Sequence, residues 1–229
     1  MREVADGVFE VPITYVNAFL VVTDDGVVLI DTGLPRRSGR LHQALADAKR
    51  AVGDVRTILL THWHADHVGG AGDMRRDSGA RVVAHHLDAG IVTGAQPLPP
   101  PRGMVRIVAK FMGVPEKVPV DHELTGDGPT PVPGFTAYHT PGHTLGHVSY
   151  LLDRGGGVLF AGDAATGGRT RLGRPPRAVV VDPVAERASV ARLAELDFTV
   201  AVFGHGPAVT DRPVEQFREL AARDAAGRA

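Results

Sequence analysis

The 229-residue chain contains no cysteine. Disulfide staples, thiolate nucleophiles and thiolate-held metal are excluded together. A chain of this length builds an ample core without a staple. No apolar stretch is long enough to span a bilayer. The first seven residues, Met1 to Gly7, carry two acids and lack the apolar centre of a signal peptide. The default expectation is a cytoplasmic protein, although a cysteine-free chain folds in either redox environment. Charge of one sign is also lacking: 25 basic against 26 acidic residues leave a net charge of −1. Nothing here points to nucleic acid or an anionic membrane as partner.

With 43% hydrophobic and 22% charged residues, the composition is that of an ordinary soluble protein. Short apolar runs alternate with helical spacing, the pattern of an α/β protein. Strands are expected at Val8 to Val11, Ala18 to Thr23, Val27 to Ile30, Val55 to Leu60, Arg81 to Ala84, Phe135 to His139, His147 to Leu152, Val158 to Ala161 and Thr199 to Phe203. Asp24-Asp25-Gly26 marks a hairpin between the second and third of these. Helices are expected over Arg36 to Val52, Asp66 to Ser78, Pro183 to Leu196 and Pro213 to Ala226. The Pro-rich stretch Gly94 to Gly103 breaks this rhythm, and Met104 to Met112 behind it has amphipathic helical spacing. A second irregular stretch, Gly167 to Arg177, holds Arg169, Arg171, Arg174 and Arg177, read as a solvated loop. No internal repeat is present.

The densest chemistry is His62-Trp63-His64-Ala65-Asp66-His67, directly after an apolar run. Imidazole and carboxylate are the ligands of a zinc-type ion, and a core avoids clustering such groups because unpaired polar atoms are costly there. Three more ligand-type residues, His143, Asp163 and His205, each stand on a Gly-flanked turn after an apolar strand, where open α/β sheets collect their sites. The seven candidates are His62, His64, Asp66, His67, His143, Asp163 and His205. Five imidazoles and two carboxylates suit two divalent ions, with one carboxylate as bridge. His85 and His86 fit no ligand slot and suit a surface or helix-start position. His42, His122 and His147 read as ordinary polar residues, and His139 as packing.

This pattern resembles the metallo-β-lactamase superfamily over nearly the whole chain. Val28 to Gly33 is similar to its early D-T-G motif, HWHADH to its H-x-H-x-D-H motif, and His143, Asp163 and His205 follow in the family's order. The resemblance implies a single domain over residues 1–229 with a four-layer αβ/βα sandwich of two mixed sheets and outer helices. It implies that His62, His64 and His143 hold one ion, that Asp66, His67 and His205 hold the other, and that Asp163 bridges them. The ions would be zinc, with iron or manganese as substitutes, and a metal-bound hydroxide would attack a carbonyl while Asp66 serves as catalytic proton acceptor. Asp31 is either an orienting group behind the ligands or an Asx turn before Gly33. Tyr15 and Asn17 lie in a loop that often borders the site in this family, but a strand-start tyrosine and a turn asparagine are the favoured reading.

Within the superfamily, Asp163 and the lack of cysteine disfavour β-lactam hydrolysis as the main activity. Thr166 stands where acyl-homoserine lactonases often carry tyrosine. The match to glyoxalase II around His143 to His147 is close, but few residues follow Gly206 to form that enzyme's added helical domain. The expectation is a glyoxalase-II-like hydrolase of an ester, thioester or lactone, with residues 94–114 as a lid and a small-molecule substrate. The alternative is a mononuclear-iron persulfide dioxygenase, and a silent binding module stands behind both. Substrate-binding residues and oligomeric state are unknown at this level.

Overall fold

The computed structural model describes residues 1–100 and 113–226. The expected helix Met104 to Met112, and most of the expected lid, lie outside the described residues. The chain forms two compact units, Met1–Thr125 and Gly126–Ala229.

The first unit carries seven strands: β1 (Arg2–Ala5), β2 (Val8–Ile13), β3 (Val16–Thr23), β4 (Gly26–Ile30), β5 (Val55–Leu59), β6 (Arg81–His85) and β7 (His122–Leu124), lying side by side in chain order. The first four pair antiparallel, as hairpins allow. From β4 onward the pairing is parallel, because each connection now runs through helix: α1 (Gly39–Asp47), then α2 (Ala65–Val68) and α3 (Ala71–Ser78), then α4 (His86–Thr93). The period-two alternation of the strands puts Leu20, Leu29, Ile58 and Val82 in one core cluster with Leu41, Ala44, Leu45 of α1 and Met74 of α3. The alternate residues Val21, Val28, Leu59 and Val83 are equally buried, which is why these strands read as continuous apolar runs.

The second unit has β8 (Gly128–Pro129), β9 (Phe135–His139), β10 (Val148–Leu152), β11 (Val158–Phe160) and β12 (Val200–Val202), in the order β12-β11-β10-β9-β8. All pairs are antiparallel except β11 with β12, so β9, β11 and β12 end at the same edge. Helices α5 (Pro183–Leu193) and α6 (Pro213–Ala226) complete it. Its core gathers Leu159, Ala201 and Phe203 with Val190, Leu193, Phe217 and Leu220. Phe203 stacks on Phe217 with centroids 6.2 Å apart.

Two helix expectations need correction. The helix expected at Arg36 to Val52 is shorter, because Arg36 and Lys49 both take left-handed backbone, at φ 60° and 56°. That conformation interrupts a right-handed helix. The helix expected at Asp66 to Ser78 is split at Gly69-Gly70 into α2 and α3. A Cβ on Gly69 would sit 2.2 Å from the Pro35 backbone nitrogen, and one on Gly70 2.7 Å from the Thr32 carbonyl oxygen. The break is where this helical segment meets the turn after β4. Strands β1, β7 and β8 and helix α4 add to the elements expected from the pattern. Among the described residues no helix is long and apolar enough to cross a membrane.

Of the four arginines expected in a solvated loop, Arg169, Arg171 and Arg177 are exposed. Arg174 instead forms a 3.0 Å ion pair with buried Glu186 of α5. Burial pushes the Glu186 carboxyl up from its ordinary value, and Arg174 pulls it partly back. Because the folded-state pKa is raised, this carboxyl contributes most at low pH and progressively less as pH rises through that value. Arg174→Ala removes the opposing charge and raises the folded pKa further. We expect a loss of about 3 kcal/mol at pH 7, the low end for a broken buried pair because the Arg174 side chain is partly exposed, that shrinks toward pH 4, read from urea unfolding at both pH values. A loss independent of pH would show that Glu186 does not carry the effect.

Candidate metal centre

In the first unit the ligand run begins where β5 ends. Its shape is set by Asp31, at the end of β4, which is 2% exposed and holds φ 56°. Aspartate tolerates this left-handed conformation better than most residues. Its Oδ1 accepts from the Thr61 backbone N–H at 2.8 Å, and its Oδ2 accepts from the Thr61 hydroxyl at 2.7 Å and from His67 Nδ1 at 2.7 Å. A carboxylate can only accept, so His67 carries its proton on Nδ1 and presents its Nε2 lone pair. Thr61 spends its hydroxyl proton on Asp31 and therefore accepts from His62 Nδ1, 3.0 Å away. His62 likewise presents Nε2, which lies 3.0 Å from His64 Nδ1. These bonds to Thr61 and His67 are the contacts the orienting role calls for.

The other end of the run is clamped to the turn after β4. The Thr32 N–H and hydroxyl both donate to the His67 carbonyl, at 2.7 and 2.9 Å. The Gly70 N–H donates to the Thr32 hydroxyl at 3.2 Å. Ligand atoms of His62 and His67, and of Asp66 and His67, lie within 4.8 Å of one another. The unit thus brings His62, His64, Asp66 and His67 together. Tyr15, 48% exposed, lies within the field of Asp66: burial first, and the Asp66 carboxylate second, push its phenol up to about 12. In the metal-free chain it is a protonated hydroxyl at neutral pH.

In the second unit the ends of β9, β11 and β12 bring His143, Asp163 and His205 together. Asp163 Oδ2 lies 3.3 Å from His143 Nε2 and 3.3 Å from His205 Nε2. His143 and Asp163 are buried, and the His205 side chain keeps 28% of its surface exposed. Gly142 makes the approach to His143 at φ 136°, and a Cβ there would sit 2.3 Å from the Glu186 backbone nitrogen at the start of α5.

His147, read from sequence as an ordinary polar residue, is fully buried and holds the backbone of Asp163. Its Nε2 accepts from the Asp163 backbone N–H at 2.9 Å. Its Nδ1–H therefore donates to the Thr140 hydroxyl at 2.9 Å, which faces the Ser149 hydroxyl at 3.0 Å, and Ser149 donates to the Ala161 carbonyl at 3.1 Å. The relay needs a neutral His147. Its sequence signal was the second histidine of HTLGH, four residues after a ligand candidate. His139 Nε2–H donates to the Leu145 carbonyl at 2.8 Å and so braces the same loop. His85 is at a helix start, as N-cap of α4, but is buried rather than on the surface.

The donor set fits a divalent ion of the zinc type. Nitrogen-rich ligands disfavour magnesium and calcium, which take oxygen. Two atoms bound at about 2.0–2.1 Å to a tetrahedral ion stand roughly 3.3–3.4 Å apart. The His143–Asp163 and Asp163–His205 separations match this, and the His62–His64 separation is slightly shorter.

A family model described as the metallo-beta-lactamase superfamily matches residues 11–205. The chain belongs to that superfamily. A probable metallo-hydrolase of Bacillus subtilis, YflN, is 28% identical over 235 residues, covering 92% of this chain and 88% of its own. A second from the same organism, YybB, is 29% identical, covering 80% of each. Among solved structures, the metallo-beta-lactamase family protein TTHA1429 of Thermus thermophilus is 28% identical with a TM-score of 0.71, covering 98% of this chain and 81% of that one. BJP-1, a subclass B3 metallo-β-lactamase of Bradyrhizobium japonicum, shares the fold at a TM-score of 0.76 over 99% of this chain and 92% of that one, at 22% identity. The two mixed sheets and their helices are those of the metallo-β-lactamase α/β sandwich. Membership brings with it the metallo-hydrolase character of the superfamily, an enzyme with a site for divalent metal.

Asp31→Asn leaves one oxygen to serve three donors. We expect a loss of about 2–3 kcal/mol in the metal-free protein, because a buried donor is stranded, and roughly 10–100-fold weaker metal binding. Chelator-competition titration and thermal unfolding measure the two. Unchanged metal affinity would show that Asp31 does not orient the ligands.

Proposed function

We propose that the chain is a dinuclear metal-dependent hydrolase of an ester, thioester or lactone, in which both units act as one catalytic domain. His62, His64 and His143 would hold one ion and Asp66, His67 and His205 the other, with Asp163 between them. The observation that carries this reading is the single Asp163 oxygen standing 3.3 Å from imidazole nitrogens on either side, the arrangement of a bridging carboxylate. Bound divalent ions supply Lewis acidity toward a carbonyl oxygen and lower the pKa of water toward neutrality.

The chain's own residues do the rest. Asp66 accepts the proton of the attacking water and keeps it oriented. The Asp31 and His147 networks hold the ligand atoms in place, so little reorganisation accompanies the reaction. A groove of about 470 Å³ beside Trp63, walled by Val68, Ile91, Val92, Leu98 and Val114, supports an apolar acyl portion of the substrate. Zinc is the ion the histidine-rich set favours. Two other readings stand behind this one. Structures named as β-lactamases share the fold, which brings β-lactams onto the substrate panel. A His and carboxylate set also suits ferrous iron, the requirement of a persulfide dioxygenase.

The test is metal analysis of protein purified without added metal, followed by rates on thioester, ester, lactone and β-lactam substrates. We expect about two zinc-type ions per chain, hydrolysis of an acyl substrate, and its abolition in Asp163→Ala. Turnover retained in a metal-verified Asp163→Ala protein would overturn the bridging role. One iron per chain with oxygen consumption on persulfide would replace the hydrolase by the dioxygenase.

A further inference from the structure

Resting on the metal-binding reading above, we propose that Asp88 is a positioning residue for the ligand run, acting through the backbone of Trp63. Asp88 lies in the first turn of α4, far in sequence from any ligand candidate, and is 2% exposed. Its Oδ2 accepts from the Trp63 backbone N–H at 3.2 Å. Trp63 stands between His62 and His64, and the N–H that donates this bond belongs to the peptide joining His62 to Trp63.

The placement has a physical consequence. The bond is part-buried, and its acceptor is a charged carboxylate, which makes a stronger bond than a carbonyl does. The carboxylate sits in the first turn of α4, where the helix dipole favours negative charge. The ligand run is then held by two buried carboxylates from different strand ends. Asp31, after β4, fixes Thr61 and His67. Asp88, after β6, fixes the point between them. Asp31 sets which nitrogens of His62 and His67 carry lone pairs, whereas Asp88 sets the backbone from which the His62 and His64 rings diverge. Those rings stand 82° apart with centroids 4.7 Å apart, and their facing nitrogens are 3.0 Å apart. Freed of Asp88, the Trp63 peptide can rotate and carry the two nitrogens out of register.

The experiment compares Asp88→Ala, Asp88→Asn and Ala89→Gly with the parent chain. Zinc affinity is measured by chelator competition, and site geometry by the visible absorption of cobalt(II) bound in zinc's place. Ala89→Gly is the control: it weakens α4 at the neighbouring buried residue without removing the acceptor. Asp88→Ala is expected to weaken zinc binding by roughly 10–100-fold and to alter the cobalt spectrum. Asp88→Asn, which keeps an oxygen acceptor, is expected to stay within about threefold of the parent, well inside the loss typical of a missing orienting group, and it carries the test if the alanine variant does not fold. Ala89→Gly is expected to lower the melting temperature while leaving zinc affinity and spectrum unchanged. The proposal is overturned if Asp88→Ala binds zinc as the parent does, if Asp88→Asn loses roughly tenfold or more, or if Ala89→Gly weakens zinc binding as much as Asp88→Ala. A parent chain that binds no metal would instead overturn the metal centre itself, and this inference with it.

Discussion

The Asp31 carboxylate accepts three hydrogen bonds where only 2% of the residue is exposed, and the geometry of the first unit's ligand run follows from them. A buried carboxylate is costly without donors. The donors available here are the Thr61 amide, the Thr61 hydroxyl and His67 Nδ1–H, and supplying them determines where each neighbouring proton sits. His67 is left presenting Nε2. Thr61, its own proton committed, takes the Nδ1 proton of His62, so that ring presents Nε2 as well. One charge in a turn thus leaves two imidazoles unprotonated at Nε2, the form in which histidine can bind a metal.

The second unit reaches the same end with neutral groups. His147 accepts the Asp163 amide on one nitrogen and passes its proton to Thr140 on the other. Ser149 closes the relay on the Ala161 carbonyl, in the turn that leads to Asp163. Each ring nitrogen of His147 has one role in the relay, Nε2 as acceptor and Nδ1 as donor. Together with Gly142, which lets the chain pass against the start of α5, it holds a carboxylate oxygen midway between two histidines. The two units differ in charge but share a logic: side chains behind the candidate ligands fix protonation and direction, as supporting shells of metal sites do.

Membership of the metallo-β-lactamase superfamily is compatible with this chemistry without specifying a substrate, because one scaffold hosts many reactions. The parts that could discriminate lie beside the candidate ligands rather than among them. The groove beside Trp63 is apolar on most of its wall, and Tyr15 brings a protonated hydroxyl near Asp66. These features belong to loops and helix ends, where function varies over a constant frame.

Much of this was legible in the chain. The apolar runs located most of the central strands, the ligand types and their strand-end context located the seven candidates, and the resemblance in HWHADH and its companions named the family. These signals are local: a strand announces itself by period and composition, and a motif by spacing. What the sequence could not announce depends on contacts between distant segments. Arg36 to Ser38 has helix-compatible residues, yet the left-handed turn there starts α1 later. Asp66 to Ser78 has one helical pattern, yet the close pass of Gly69 over Pro35 and of Gly70 over Thr32 divides it. Asp31 could have been an Asx turn until Thr61 and His67 were seen around it. His147 reads as an ordinary polar residue and Asp88 carries no signal at all, because nothing near them in sequence shows what they hold. Local propensity and ligand chemistry are written in short windows of sequence, whereas hydrogen-bond partnership at a buried site is decided by which strand ends the folded sheet brings side by side.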